Sequence, residues 1–137
     1  MSQGSAHTSL SEEAVHKALT QWADGDGSAS PLASLLIWRA AFGRPGIATP
    51  LGATEAVLDA GLDVLAEEQE ELARLLRLRF QDGEPGYRIA TKLHVAEGTV
   101  WRKQREAIRL LTEILTRQDA QARNERRRRF ANRLNCE

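Results

Sequence analysis

The chain has 137 residues, enough for one domain or a domain with an appendage, and enough to bury a core without disulfides or metals. Hydrophobic residues make up 42%, which argues against wholesale disorder. The single cysteine, Cys136, excludes an intramolecular disulfide framework or a cysteine zinc cluster and fits a reducing compartment. The net charge is zero, but residues 1–81 hold 6 Lys/Arg and 11 Asp/Glu while residues 82–137 hold 13 and 8. The basic half suits a polyanion, although the same split arises when charges merely decorate solvated helices. No stretch resembles a signal peptide. The best apolar run, Leu32 to Phe42, is interrupted by Ser34 and Arg39 and falls short of the roughly 18 residues of a membrane span. A cytoplasmic protein without membrane contact is expected.

In chain order, Ser9-Leu-Ser-Glu12 reads as a capping box, with Ser9 as the cap and Glu12 at the third helical position. Val15, Leu19 and Trp22 recur at helical spacing and predict a first helix to about Ala23. Asp24 to Ser30 is a flexible break. Pro31 suits the first turn of a second helix over Leu32 to Phe42, apolar almost all round and hence buried. Gly43 to Gly46 stops it, and Ile47 to Leu51 links onward. From about Ala53 the pattern is helical through Val57, Leu58, Gly61, Leu62 and Leu65. A further piece carries Leu72, Leu75, Leu76, Leu78 and Phe80, with Glu67, Glu68, Glu70 and Glu71 in its first turn, where the helix dipole favours them. The pattern leaves open whether these are one bent helix or two. Gln81 to Gly86 is a loop.

Tyr87 to Leu93 places Ile89, Ala90 and Leu93 on one face of a short helix. His94-Val-Ala96 is a turn whose Val95 can plug the corner. Glu97 opens a longer helix with Val100, Ala107, Ile108 and Leu111 inward, continued by Ile114 and Leu115. Two helices joined by three or four residues meet the description of a helix-turn-helix, and the small Ala90 would let them cross closely. On spacing alone, an ordinary helical hairpin stands beside that reading.

Leu75-Leu-Arg-Leu-Arg-Phe80, then Gly86-Tyr-Arg-Ile-Ala-Thr-Lys-Leu-His-Val-Ala-Glu-Gly-Thr-Val100 and Arg105-Glu-Ala-Ile-Arg-Leu-Leu111, resemble region four of bacterial sigma factors and the related LuxR-type readers. The likeness covers roughly residues 55 to 115. It departs at Ala96, where that pattern prefers a capping serine, and at Tyr87-Arg88, where acidic residues usually follow the aromatic. The resemblance implies an all-α bundle containing a helix-turn-helix, with a long C-terminal helix or tail, that docks on double-stranded DNA. The division expected is 1–48 as two N-terminal helices, 49–116 as the helix-turn-helix domain and 117–137 as a basic helix or tail.

In such a reader, outward positions early in the second helix reach base edges. Here they are Glu97, Thr99, Trp101, Arg102 and Arg105. Arg102 or Arg105 would fork onto guanine, and the Thr99 methyl would touch thymine. Arg88, Lys92, Lys103 and Arg109 would sit over phosphates, giving position and salt dependence rather than sequence. Trp101 has two readings: stacking on sugar or a thymine methyl, or packing on the N-terminal helices or another protein. Beyond Leu115 the chain has strong helix formers but little apolar stripe, so an extended or frayed helix is expected. Within it Arg126, Arg127, Arg128 and Arg129 form a dense positive run for phosphate, for an acidic partner, or simply for solvent. The abrupt Asn-Cys-Glu ending suggests a piece of a longer protein.

Catalysis finds little support. His7, His16 and His94 are scattered, and neither a Gly-rich phosphate loop nor a His-Glu-x-x-His pair is present. No enzyme activity, cofactor or metal site is expected. Two functions stand: a DNA-binding transcription regulator reading a short duplex site, and a helical interaction module that holds RNA polymerase, an anti-sigma-type partner or another protein through residues 31–80. In the first, the N-terminal helices would buttress the reader or form a homodimer. A complete sigma factor is not expected, since no aromatic-rich basic segment precedes residue 50.

Overall fold

A computed structural model describes residues 10–135. Among them the fold is an all-α bundle: α1 (Glu12–Asp24), α2 (Leu36–Phe42), α3 (Pro50–Glu68), α4 (Glu70–Leu76), which runs into a π-helical turn (Arg77–Gln81), α5 (Gly86–Leu93) and α6 (Glu97–Asn135). No helix is long and apolar enough to cross a membrane.

The start of α1 is capped by Ser11, whose hydroxyl accepts from the Ala14 amide at 3.0 Å. Glu12 is therefore the first helical residue, not the third, and the expected cap Ser9 lies outside the described residues. Capping at Ser11 sets both Glu12 and Glu13 at the positive end of the helix dipole. Gly25 ends the helix at φ 65°, a left-handed conformation that glycine adopts without steric cost.

The second helix begins four residues later than expected, at Leu36 rather than Leu32. Tertiary bonds compete for the residues before it. Ser30 Oγ accepts from the Leu32 amide at 3.1 Å and also meets Thr54 Oγ1 at 2.8 Å, where Trp38 Nε1 donates at 3.0 Å. With no cap of its own, α2 receives one from α6: the buried Asp119 accepts from the Ile37 amide at 3.1 Å. The helix is buried on one face only, through Trp38 and Ala41, while Phe42 stays 37% exposed, edge-on to Trp38.

Thr49 caps α3 and Pro50 fills its first turn. The backbone breaks at Gln69 (φ −143°, ψ 79°), so α3 and α4 are two helices. The break falls inside the glutamate run. Glu67 and Glu68 thus close α3, at the dipole end that disfavours them, and only Glu70 and Glu71 open α4. Beyond α4, Arg77 of the π turn reaches Asp59 at 2.8 Å and Asp63 at 2.9 Å on α3. The edge of Phe80 meets His16 of α1 with ring centroids 5.8 Å apart.

The longest element, α6, has 39 residues, about 58 Å at 1.5 Å per residue. It continues unbroken through the stretch expected to fray. Helix-forming residues and the Arg123–Asp119 pair at 2.9 Å support it there, because its side chains beyond Arg123 are exposed. Its first half is the axis of the bundle. Val100, Ala107, Leu111 and Leu115 are fully buried, and an added β-carbon on Gly61 would stand 2.8 Å from Leu115 Cδ2 and 2.9 Å from Leu111 Cδ1, so α3 and α6 approach closely there. One hydrophobic cluster runs from Val15 to Leu115, taking residues from both the 1–48 segment and the 49–116 segment.

Candidate nucleic-acid interface

Ile89, Ala90 and Leu93 bury one face of α5. The turn that follows is made by His94 at φ 60°, ψ 44°, the only described non-glycine residue with positive φ. That conformation costs a β-carbon-bearing residue roughly 1–2 kcal/mol. It is held by the Val95 amide donating to the Ala90 carbonyl at 3.0 Å, while Val95 tucks against the core. The second helix then starts from Ala96, whose carbonyl accepts from the Thr99 and Val100 amides. Ala96 brings no capping side chain, and Glu97 supplies the negative charge the helix start favours. A short helix, a three-residue turn and a second helix in contact with the first together meet the geometric description of a helix-turn-helix.

At 100° per residue, burial of Val100, Ala107, Ile108 and Leu111 turns the opposite side of α6 outward. Gly98, Arg102, Arg105 and Arg109 lie on that side, with Glu106 among them. Arg102 is exposed and donates to Thr99 Oγ1 at 3.0 Å, which orients its guanidinium along the helix. Arg105 is exposed and makes no hydrogen bond or ion pair among the described residues. Trp101 sits on the flank. Its indole lies against Gly86, where an added β-carbon would meet Cζ2 at 2.5 Å, and the Arg79 guanidinium lies 5.2 Å from the ring centroid. Trp101 packs against the start of α5 and the π turn, and 38% of it remains exposed. Glu97 is exposed beside the same glycine.

The four cations expected over phosphates all have carboxylate partners. Glu84 takes Lys92 at 3.3 Å and Arg88 at 3.8 Å. Lys103 turns to the other flank and meets Glu71 of α4 at 2.8 Å. Arg109 is held between Glu106 at 2.7 Å and Glu113 at 2.8 Å. The hydrogen bond from Arg109 keeps the Glu106 carboxyl below its ordinary pKa, and the same bond raises Arg109. Water screens such exposed pairs and leaves them weak, so a phosphate can displace the carboxylate.

The expected basic run is elsewhere. Arg126 to Arg129 lie on the far part of α6, with Arg126 about 36 Å along the axis from Arg102, so the fold does not join them to the helix-turn-helix. Three residues that sequence reasoning passed over shape this site. Gly86 accommodates the indole, Arg79 covers it with a buried, unpaired Nε, and Glu84 neutralises two cations. Only the Pro85-Gly86 pair carried a signal, as a site where backbone and side chain come close. Tyr87, next to Gly86, is 60% exposed and adds a second aromatic surface. Among the described residues no group of three or more His, Cys, Asp or Glu gathers to hold a metal ion. No family model, curated protein or solved structure matches this chain.

Proposed function

We propose that the chain is a DNA-binding transcription regulator that inserts the first turns of α6 into the major groove of a short duplex site. The supporting observation is the left-handed turn at His94, which exposes the first turns of α6 with Arg102 and Arg105 on their free side. In this reading Arg102 and Arg105 read base edges, with Thr99 holding Arg102 in place. Arg88, Lys92 and Arg109 exchange their carboxylates for phosphates. Trp101 and Tyr87 rest on the sugar–phosphate wall, and Lys103 stays with α4. The role is binding rather than catalysis.

The test is a salt series of binding to a randomised duplex pool, followed by sequencing of the bound fraction. A log–log salt slope of roughly −2 to −5 is expected for two to five phosphate contacts, together with an enriched motif. Arg102→Ala with Arg105→Ala should erase the motif, whereas Lys92→Ala should weaken all sequences alike. Identical behaviour of the two variants would remove the assignment of base readers.

A second reading has its own observation. The carboxylates of Glu84, Glu97, Glu106 and Glu113 line the same surface and weaken its field toward a polyanion. This favours a helical module that holds a protein, such as a polymerase subunit, through the acidic 31–80 face. Absence of duplex binding at low salt would select it.

A further inference from the structure

The inward side of α6 is covered by α2 as far as Asp119 and, among the described residues, lies open beyond Arg123. Between α2 and the second half of α6 lies an open groove of about 1030 Å³. It adjoins a smaller hollow of about 280 Å³ beside α3. Ile37, Ala40 and Ala122 are among its apolar lining residues, as is Phe130, 59% exposed. Its rim is arginine. Arg39 and Arg44 come from the α2 side, and Arg126, Arg129 and Arg133 from α6, against Glu125 as the one lining carboxylate. Unlike Arg88, Lys92, Lys103 and Arg109, the groove residues Arg39, Arg44, Arg126 and Arg129 have no carboxylate partner among the described residues.

We propose that this groove seats an acidic amphipathic helix of a partner protein. The groove between two helices can take a third, and the small Ala40 and Ala122 in its lining let a backbone approach closely. From Gln118 to Arg133 the lining of the two hollows extends about 22 Å, the length of a helix of four turns. The apolar stripe of such a helix meets Ile37 and Phe130 while its carboxylates fork onto the rim guanidiniums. Nucleic acid fits less well. Phe130 and Leu134 are exposed apolar side chains with little use against a phosphate backbone. Nor can the duplex held by Arg102 serve, because a straight helix leaves a groove about 12 Å wide well before Arg126. A second copy presents an equally basic tail, so like charges oppose tail-to-tail pairing. The Asp119 bond to the Ile37 amide and its pair with Arg123 brace α2 against α6 and keep the trough open. This site is independent of the DNA reading above.

The experiment uses the full chain and a labelled peptide of about 15 residues, leucines at helical i, i+3, i+7 spacing and glutamates elsewhere. A second peptide has the same composition with its leucines scattered, and labelled single-stranded and duplex oligonucleotides complete the set. Anisotropy should show micromolar binding of the amphipathic peptide and at least about tenfold weaker binding of the scattered one. Arg39→Glu with Arg129→Glu should weaken the peptide at least about tenfold, and Phe130→Ser about fivefold. Duplex binding should change less than about twofold, and the thermal midpoint should be kept, since these side chains are exposed. Equal binding of the two peptides, or indifference to the paired reversal, overturns the proposal. So does oligonucleotide binding that the reversal abolishes without peptide binding, or concentration-dependent self-association that it abolishes.

Discussion

The two halves of α6 are one continuous helix with different reasons for being helical. Up to Leu115 its inward apolar positions are buried and tertiary packing dictates the conformation; beyond Arg123 the described side chains are exposed. The cations differ in the same way. Near the helix-turn-helix, lysines and arginines expected on phosphates are matched by carboxylates, whereas around the α2 groove Arg39, Arg44, Arg126 and Arg129 have no carboxylate partner among the described residues. Density of basic residues in the sequence therefore does not tell where positive potential emerges. Acidic residues packed beside the cations decide it.

The strongest break of this comparison is a pair of leucine truncations. Leu111→Ala in the buried half should cost about 2–5 kcal/mol, and Leu134→Ala in the exposed half less than about 0.5 kcal/mol, both by denaturant unfolding. Similar costs would mean that the second half of α6 is buried in solution.

Gly86→Ala is the next largest. The added methyl collides with the Trp101 indole, and overpacking of this kind costs about 1–3 kcal/mol. The indole should swing outward and shift its emission to the red, with Trp101→Phe as the control for the other two tryptophans. Unchanged emission would refute the close contact.

Asp119→Ala removes the acceptor of the Ile37 amide and the partner of Arg123, a loss of about 1–3 kcal/mol for a buried donor left unpaired. Amide exchange should accelerate at Ile37 and its neighbours in α2 while Leu111 stays protected.

The smallest effect concerns pH. The Glu106 carboxyl titrates below its ordinary 4.5 because Arg109 bonds to it. Its folded value lies below the unfolded one, so its contribution is present above pH 4.5 and is lost as the pH falls through the lowered value. Carboxyl chemical shifts should show the low midpoint, and Arg109→Gln should return it toward 4.5.

Most of the fold was legible in the residues. The Ile89-Ala90-Leu93 stripe, the turn and the Val100-to-Leu115 stripe came out as helical spacing predicts. What stayed hidden depends on distant partners. The start of α2 is set by Asp119, 82 residues away from Ile37 along the chain. The break at Gln69 lies within a run of glutamates that carries no proline or glycine. At the site, outward positions on α6 were readable, but Lys103 faces Glu71 and Trp101 faces Gly86. A one-dimensional pattern distinguishes in from out and is silent about flank.

Because α6 is unbroken, it also works as a ruler and a protractor. Arg129 follows Arg102 by 27 residues, about seven and a half turns, so the two guanidiniums leave the axis in nearly opposite directions. A body seated at one end is thereby held at a fixed separation and a fixed angular phase from a body at the other. Adding one residue beyond Arg123 would advance the tail by about 1.5 Å and rotate it by about 100°, re-aiming Arg129 while leaving Arg102 where it is.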